Sequence, residues 1–224
     1  MATKKYYAVK MGITPGIFTS WEECKASVDG FPKAEYKGFG TLEEARAYLG
    51  EGHVETSYET IPGRLLAYVD GSYDDSLPKY AFGCVFLLEG GEIRLAFGNG
   101  DNPQSLKHHN VTGEMLGAMY AVRTAMMNGF REVELCYDYE GIEKWVTGSW
   151  RSKTELTQKY AQSMQEWGKS IKIFFTKVAA HSNIMYNELA DQTAKRGLTE
   201  GKGVPKVMRL EELERYDGRE NASE

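Results

Sequence analysis

Cysteine is scarce in this sequence: three residues in 224, Cys24, Cys84 and Cys136, odd in number and with no CxxC spacing. That excludes a disulfide framework and a zinc site, and it fits reduced thiols in a cytoplasmic protein. Long apolar runs are missing too. No stretch approaches the ~20 residues that span a bilayer, and the start, Met1-Ala2-Thr3-Lys4-Lys5-Tyr6, lacks the apolar core of a secretion signal. An excess of basic charge is also absent. The net charge is −5, which speaks against an obvious nucleic-acid binder. The imbalance is mild along most of the chain and steepest in residues 51–63, where three glutamates meet no basic residue. A site rich in carboxylates would itself contribute to such an excess, so charge alone does not decide the function. Nor does length, which suits one large domain or one domain plus a small module. The hydrophobic share of 42% is enough for a core.

What is present centres on Arg64-Leu65-Leu66-Ala67-Tyr68-Val69-Asp70-Gly71-Ser72-Tyr73. This reads as a strand buried in the middle of a sheet. Asp70 is a carboxylate where the pattern predicts burial, and a buried carboxylate needs a cation, a hydrogen-bond network or a metal. Taken alone, it also reads as the start of a turn. Three further acids, Glu114, Asp138 and Asp191, fall within or at the ends of predicted elements.

The first fifty residues form a compact unit. Strands are predicted at 5–10, 17–19 and 36–39, with one helix capped by Thr19 or Ser20 and another opened by the capping box Thr41-Leu42-Glu43-Glu44. The unit is rich in aromatic residues, and aromatics beside lysines stack on sugars and hold phosphates. Tyr-Ala-Val-Lys, Gly-Ile-Phe-Thr-Ser-Trp-Glu-Glu-Cys, Phe-Pro and Tyr-Lys-Gly-Phe-Gly-Thr-Leu-Glu-Glu-Ala together resemble the hybrid-binding domain at the N-terminus of many type 1 ribonucleases H and viroplasmin-like proteins. The resemblance implies that Trp21, Tyr36 and Lys37 grip an RNA/DNA hybrid, with Tyr7 as a supporting ring. By itself Trp21 reads equally well as helix-to-sheet packing. Gly38 stands where a second lysine is common.

From Leu65 onward the pattern runs β-β-β-α-β-α-α-β-α, with the long helix over Val111–Asn128 and the last helix over Met185–Arg196, stopped by Gly197. That order predicts a mixed five-stranded sheet covered by helices, with the first and fourth strands adjacent. Asp70 and Asp138 then project from one edge, within reach of Glu114 and Asp191. Carboxylates gathered without matching cations repel one another. Hard divalent cations with oxygen ligands relieve that repulsion, and two ions about 4 Å apart can activate a water and stabilise the leaving oxygen of a phosphodiester.

Val-Asp-Gly-Ser, Asn-Val-Thr-Gly-Glu-Met, Tyr-Asp-Tyr-Glu-Gly-Ile and Ala-His-Ser…Asn-Glu-Leu-Ala-Asp-Gln-Thr-Ala-Lys are similar, in order and spacing, to the four motifs of the type 1 ribonuclease H catalytic domain. The resemblance implies a ribonuclease H-like fold behind a small α/β hybrid-binding domain. Its boundaries would be a hybrid-binding domain over 1–50, a linker over 51–63, the catalytic domain over 64–200 and a frayed tail over 201–224. It also implies Asp70, Glu114, Asp138 and Asp191 as ligands of two Mg2+ ions (Mn2+ a substitute), His181 as the proton-handling histidine, and Asn110 as a hybrid contact. A lone loop histidine such as His181 is otherwise an ordinary surface residue. The implied activity is endonucleolytic hydrolysis of the RNA strand of hybrids, leaving 5′-phosphate ends, by a cytoplasmic monomer. Double-stranded RNA is a second candidate duplex. Two other readings stand beside it: a non-catalytic hybrid-binding or double-stranded-RNA-binding protein that keeps the fold, and a different nuclease of the same fold. Departures from the family pattern are Tyr139 where serine is usual, Val111 in place of a polar residue, and the short Arg151-Ser152-Lys153-Thr154 where some members carry a basic protruding helix.

Overall fold

The computed structural model describes residues 6–49, 60–178 and 185–217. The chain divides into two compact units after residue 58. The smaller contains β1 (Tyr6–Met11), β2 (Gly16–Phe18), α1 (Trp21–Val28), β3 (Glu35–Phe39) and α2 (Leu42–Leu49), with an antiparallel sheet in the order β2-β1-β3. Both helices start where their caps predict. The Ser20 hydroxyl accepts the Glu23 N–H, and at the other helix Thr41 and Glu44 cap each other's backbone N–H. Ala8, Val9, Cys24 and Ala45 are fully buried and make its small core.

The larger unit runs β4 (Arg64–Asp74), β5 (Lys79–Leu87), β6 (Ile93–Gly100), α3 (Pro103–Leu106), α4 (Asn110–Met127), β7 (Glu132–Tyr137), α5 (Gly141–Lys144), α6 (Glu155–Trp167), β8 (Lys172–Lys177), α7 (Met185–Glu200) and β9 (Glu214–Tyr216). Its sheet has the order β8-β7-β4-β5-β6-β9. The expected mixed five-stranded sheet is there, with β7 parallel to β4 and β8 parallel to β7, and a sixth short strand lengthens its edge. Ile61–Gly63, expected in the linker, is tied to this unit. The Gly63 carbonyl accepts the Arg131 and Glu132 N–H groups. Residues 51–59 of the expected linker lie outside the described residues.

Side chains alternate between faces along β4, and the two faces meet different helices. Leu65, Ala67 and Val69 enter the main core. Gly71, on that same face, lies under the start of α4, where a Cβ would stand 2.1 Å from the Asn110 carbonyl oxygen. Tyr68 faces the other way, onto Tyr186 of α7, with ring centroids 5.6 Å apart. Gly83, the cross-strand partner of Asp70, lies beneath α7, and a Cβ there would be 2.4 Å from both the Ala190 oxygen and the Ala194 nitrogen. These glycines let two helices on opposite faces close down beside Asp70.

Two sequence expectations are corrected. Gly197 does not stop the last helix, which continues to Glu200. Its missing Cβ instead lets α7 lie on the sheet, with Ala81 Cβ and the Gly98 oxygen each 3.1 Å from where that carbon would sit. The tail is docked rather than frayed as far as residue 217. β9 pairs with β6, Arg196 reaches both oxygens of Glu214 (3.0 and 3.1 Å), and Asn128 holds the Leu210 N–H at 3.1 Å. Asn99 is the main clamp, only 4% exposed. Its amide donates to the Gly197 and Gly201 carbonyls (both 2.8 Å) and accepts from the Gly203 N–H at 3.0 Å. Asn99→Ala leaves the Gly201 carbonyl and the Gly203 N–H without that partner, while the Gly197 carbonyl keeps the Gly201 N–H, a loss of roughly 3 kcal/mol. Thermal denaturation should show it as a Tm lower by roughly 5–10 °C; an unchanged Tm would mean the segment contributes nothing to stability.

Candidate active site

The parallel register between β4 and β7 ends at Tyr68 opposite Cys136. Two residues further along each chain come Asp70 and Asp138, level with one another just where the pairing stops. α4 carries Glu114 in its second turn, over the same strand end, because Gly71 admits the helix there. Asp70, Glu114 and Asp138 thereby each offer an oxygen within 4.8 Å of the others. Among the described residues this is the one group of acidic, histidine or cysteine side chains with such geometry.

The electrostatics are those of an unneutralised cluster. Glu114 is 2% exposed, and its carboxyl is pushed up to about 9 by burial and then by the charges of Asp138 and Asp70, against a smaller downward pull from the Tyr139 backbone N–H. Its Oε2 is buried with no hydrogen-bond partner among the described residues. Asp70 is pushed up to about 7, chiefly by burial and next by Asp138; the Gly71 N–H, 2.6 Å from Oδ1, pulls the other way. Asp191 lies outside the 4.8 Å group but close enough for its charge to raise Asp70 further. It is held by Lys195, one helical turn on, at 2.6 Å. An orphaned buried carboxylate oxygen among converging acids is what a hard divalent cation satisfies, so these residues fit such an ion.

The remaining expected residues divide. His181 lies outside the described residues. Asn110 is exposed at the first turn of α4. His109, just before it, has φ of 50° and stacks on Tyr73, with ring centroids 4.4 Å apart and planes 11° apart. His108 instead lines a hollow of about 410 Å³ together with Lys107, Thr154 and Lys159. In the N-terminal unit, Trp21 is 42% exposed and Tyr36 43%. Trp21 sits between Tyr7 (5.5 Å) and Tyr36 (5.8 Å), so the three rings form one aromatic surface, while Lys37 lies over Phe39 on the other face of β3.

Glu140 does not join the cluster. Its oxygens are taken by Lys144 and by Lys177, the latter at 2.7 Å, and those lysines hold its carboxyl down to about 2. Tyr139 turns its ring toward Trp145 and Trp150 and leaves only its backbone N–H for Glu114. Sequence reasoning assigned no role to Lys195, although its spacing of four from Asp191 on a helix was signal enough for a contact.

A mixed sheet with a helix on each face and acids gathered where its central parallel pair ends defines the ribonuclease H-like class of folds. Comparison with known proteins makes the assignment narrower. The family model described as RNase H matches residues 62–199, and that for the ribonuclease H1 N-terminal domain matches residues 5–49. Ribonuclease H1 of Rattus norvegicus is 26% identical over 260 residues, covering 88% of this chain and 90% of the relative. Ribonuclease H1 of Homo sapiens is 25% identical over 253 residues, covering 86% and 88%. Among solved structures, RNase H1 from the halophilic archaeon Halobacterium salinarum superposes with a TM-score of 0.50 at 25% identity, over 62% of this chain and 99% of that one. The chain belongs to the ribonuclease H family and is a ribonuclease H enzyme, as its motifs implied.

Proposed function

We propose that this enzyme cuts the RNA strand of RNA/DNA hybrids internally, using two divalent cations held by Asp70, Glu114, Asp138 and Asp191. One observation carries the reading: three carboxylates on separate elements converge within 4.8 Å, with an oxygen of the most buried one left unpartnered. Magnesium there, or manganese in its place, would supply an activated water and stabilise the leaving oxygen. The chain's own residues do the positioning. β4 and β7 fix Asp70 and Asp138 side by side, and the close seating of α4 fixes Glu114 beneath them. Asn110 projects beside the cluster to meet the duplex. The hollow lined by Lys107, His108 and Lys159 offers positive charge to a backbone phosphate. His181 is assigned the proton transfer that lets product leave.

The N-terminal unit supplies the grip in this account. Tyr7, Trp21 and Tyr36 present π-faces to the sugars while Lys37 meets phosphate. Recognition then rests on duplex shape and 2′-hydroxyls, with little reading of base sequence.

The test is a single hybrid duplex incubated with magnesium, manganese or chelator, beside matched all-DNA and all-RNA duplexes and a circular hybrid. Cleavage of the RNA strand alone, dependent on metal and indifferent to free ends, is expected. Trp21→Ala should weaken hybrid affinity by about tenfold with kcat unchanged. Hybrid binding without cleavage under any metal would instead establish the non-catalytic reading.

A further inference from the structure

We infer that Lys195 is a tethered countercharge that competes with the second divalent cation for Asp191, and so sets how tightly that cation binds. The inference rests on the two-cation reading above.

The placement comes from helix geometry. Ala190 and Ala194 of α7 seat directly on Gly83, the cross-strand partner of Asp70. Asp191 and Lys195 are the next residues along the same helix, again four apart, and this sets both beside Asp70. The Lys195 ammonium is 2.6 Å from Asp191 Oδ2, and Asp70 senses the two charges with opposite sign. Asp191, in turn, is the one family-implied ligand that does not fall within the 4.8 Å group formed by Asp70, Glu114 and Asp138. Three carboxylates are therefore assembled on rigid elements, while the fourth is engaged by an amine.

Charge balance makes the relation competitive. Four ionised carboxylates are matched by two divalent cations. With the ammonium also in place, the second cation would enter a site already one charge closer to neutral, and it would share Asp191 with a like charge. The Lys195 side chain is 63% exposed, so its flexible stem can swing the amine into solvent when the cation arrives. Glu140, by contrast, keeps Lys144 and Lys177 occupied on its own carboxylate, so those amines are already paired outside the cluster.

The test is calorimetric titration of the full-length, metal-free protein with Mn2+, with no nucleic acid present. Wild type should show a stronger and a weaker binding step. Lys195→Met should tighten the weaker step by about three- to fivefold, the scale of one partly exposed ion pair, and leave the stronger within about twofold. Lys195→Arg should behave as wild type. The Mg2+ concentration for half-maximal cleavage should fall in Lys195→Met in parallel. A single step in wild type that becomes two in Lys195→Met would also support the inference. An unchanged or weakened second step in Lys195→Met would overturn it while leaving the two-cation reading intact. Absence of any binding in wild type that Asp70→Asn abolishes would overturn both.

Discussion

Asp70→Asn loses at least about a thousandfold of the rate of RNA-strand cleavage, yet binds the hybrid as well as the wild type or slightly better. The amide keeps the shape of the side chain, and its oxygen can still accept the Gly71 N–H that Asp70 accepts at 2.6 Å. What changes is charge. One negative group is removed from the centre of the cluster, and an amide nitrogen can now face the position a cation would take. Hybrid affinity should survive because the aromatic surface of Tyr7, Trp21 and Tyr36 belongs to the other unit. It should rise if anything, since phosphates approach a less negative site. Single-turnover cleavage and equilibrium binding of one labelled hybrid check both halves. Equal loss of binding and cleavage would show that Asp70 acts on the fold or on substrate affinity instead.

Glu114→Gln should also abolish cleavage, but it should make the metal-free protein more stable at alkaline pH. Glu114 is 2% exposed with its carboxyl pushed up to about 9, while an unfolded glutamate titrates near the ordinary value of 4.5. Between those values the native state holds a proton that the unfolded state releases, so native stability is fully present below about 4.5 and is lost as pH rises toward about 9. Asp70, pushed up to about 7 from 3.8, adds a loss of the same sign over its own narrower window. In chelator, then, wild type should melt roughly 5–10 °C lower near pH 8.5 than near pH 5.5. The amide introduced by Glu114→Gln carries no charge at either pH, so the variant should lose most of that dependence. Added Mg2+ should restore the alkaline Tm of the wild type and do little for the variant. A wild-type Tm indifferent to pH and metal would mean that these carboxyls are not strained by one another.

The carboxylates were legible in sequence because their spacing is local to each motif and because strand order follows from the β-β-β-α-β pattern. Asp70 at the end of an apolar run and Asp138 at the end of another become neighbours once β4 and β7 are parallel, and the observed register makes them so. What sequence could not show depended on approach distances between distant segments. Gly71 stood in what reads as a turn and Gly83 carried no signal of its own, although both leave room for helices, α4 and α7. Gly197 read as a helix stop because propensity marks a glycine as a breaker, whereas packing against Ala81 and Gly98 made it a contact point. The docking of residues 201–217 was hidden because a three-residue strand has no periodicity, and its hold depends on Asn99, Asn128 and Arg196 far away along the chain. The left-handed backbone at His109, stabilised by its stack on Tyr73, carried no local signal at all.

The central claim is that Asp70, Glu114 and Asp138, with Asp191 beside them, form a seat for divalent cations. Anomalous scattering from crystals of the wild-type protein soaked in Mn2+ tests it most directly. Manganese within bonding distance of the Asp70, Glu114 and Asp138 oxygens is the predicted result, with Glu114 Oε2 no longer orphaned. Manganese bound only elsewhere on the molecule, with those three carboxylates untouched, would contradict it.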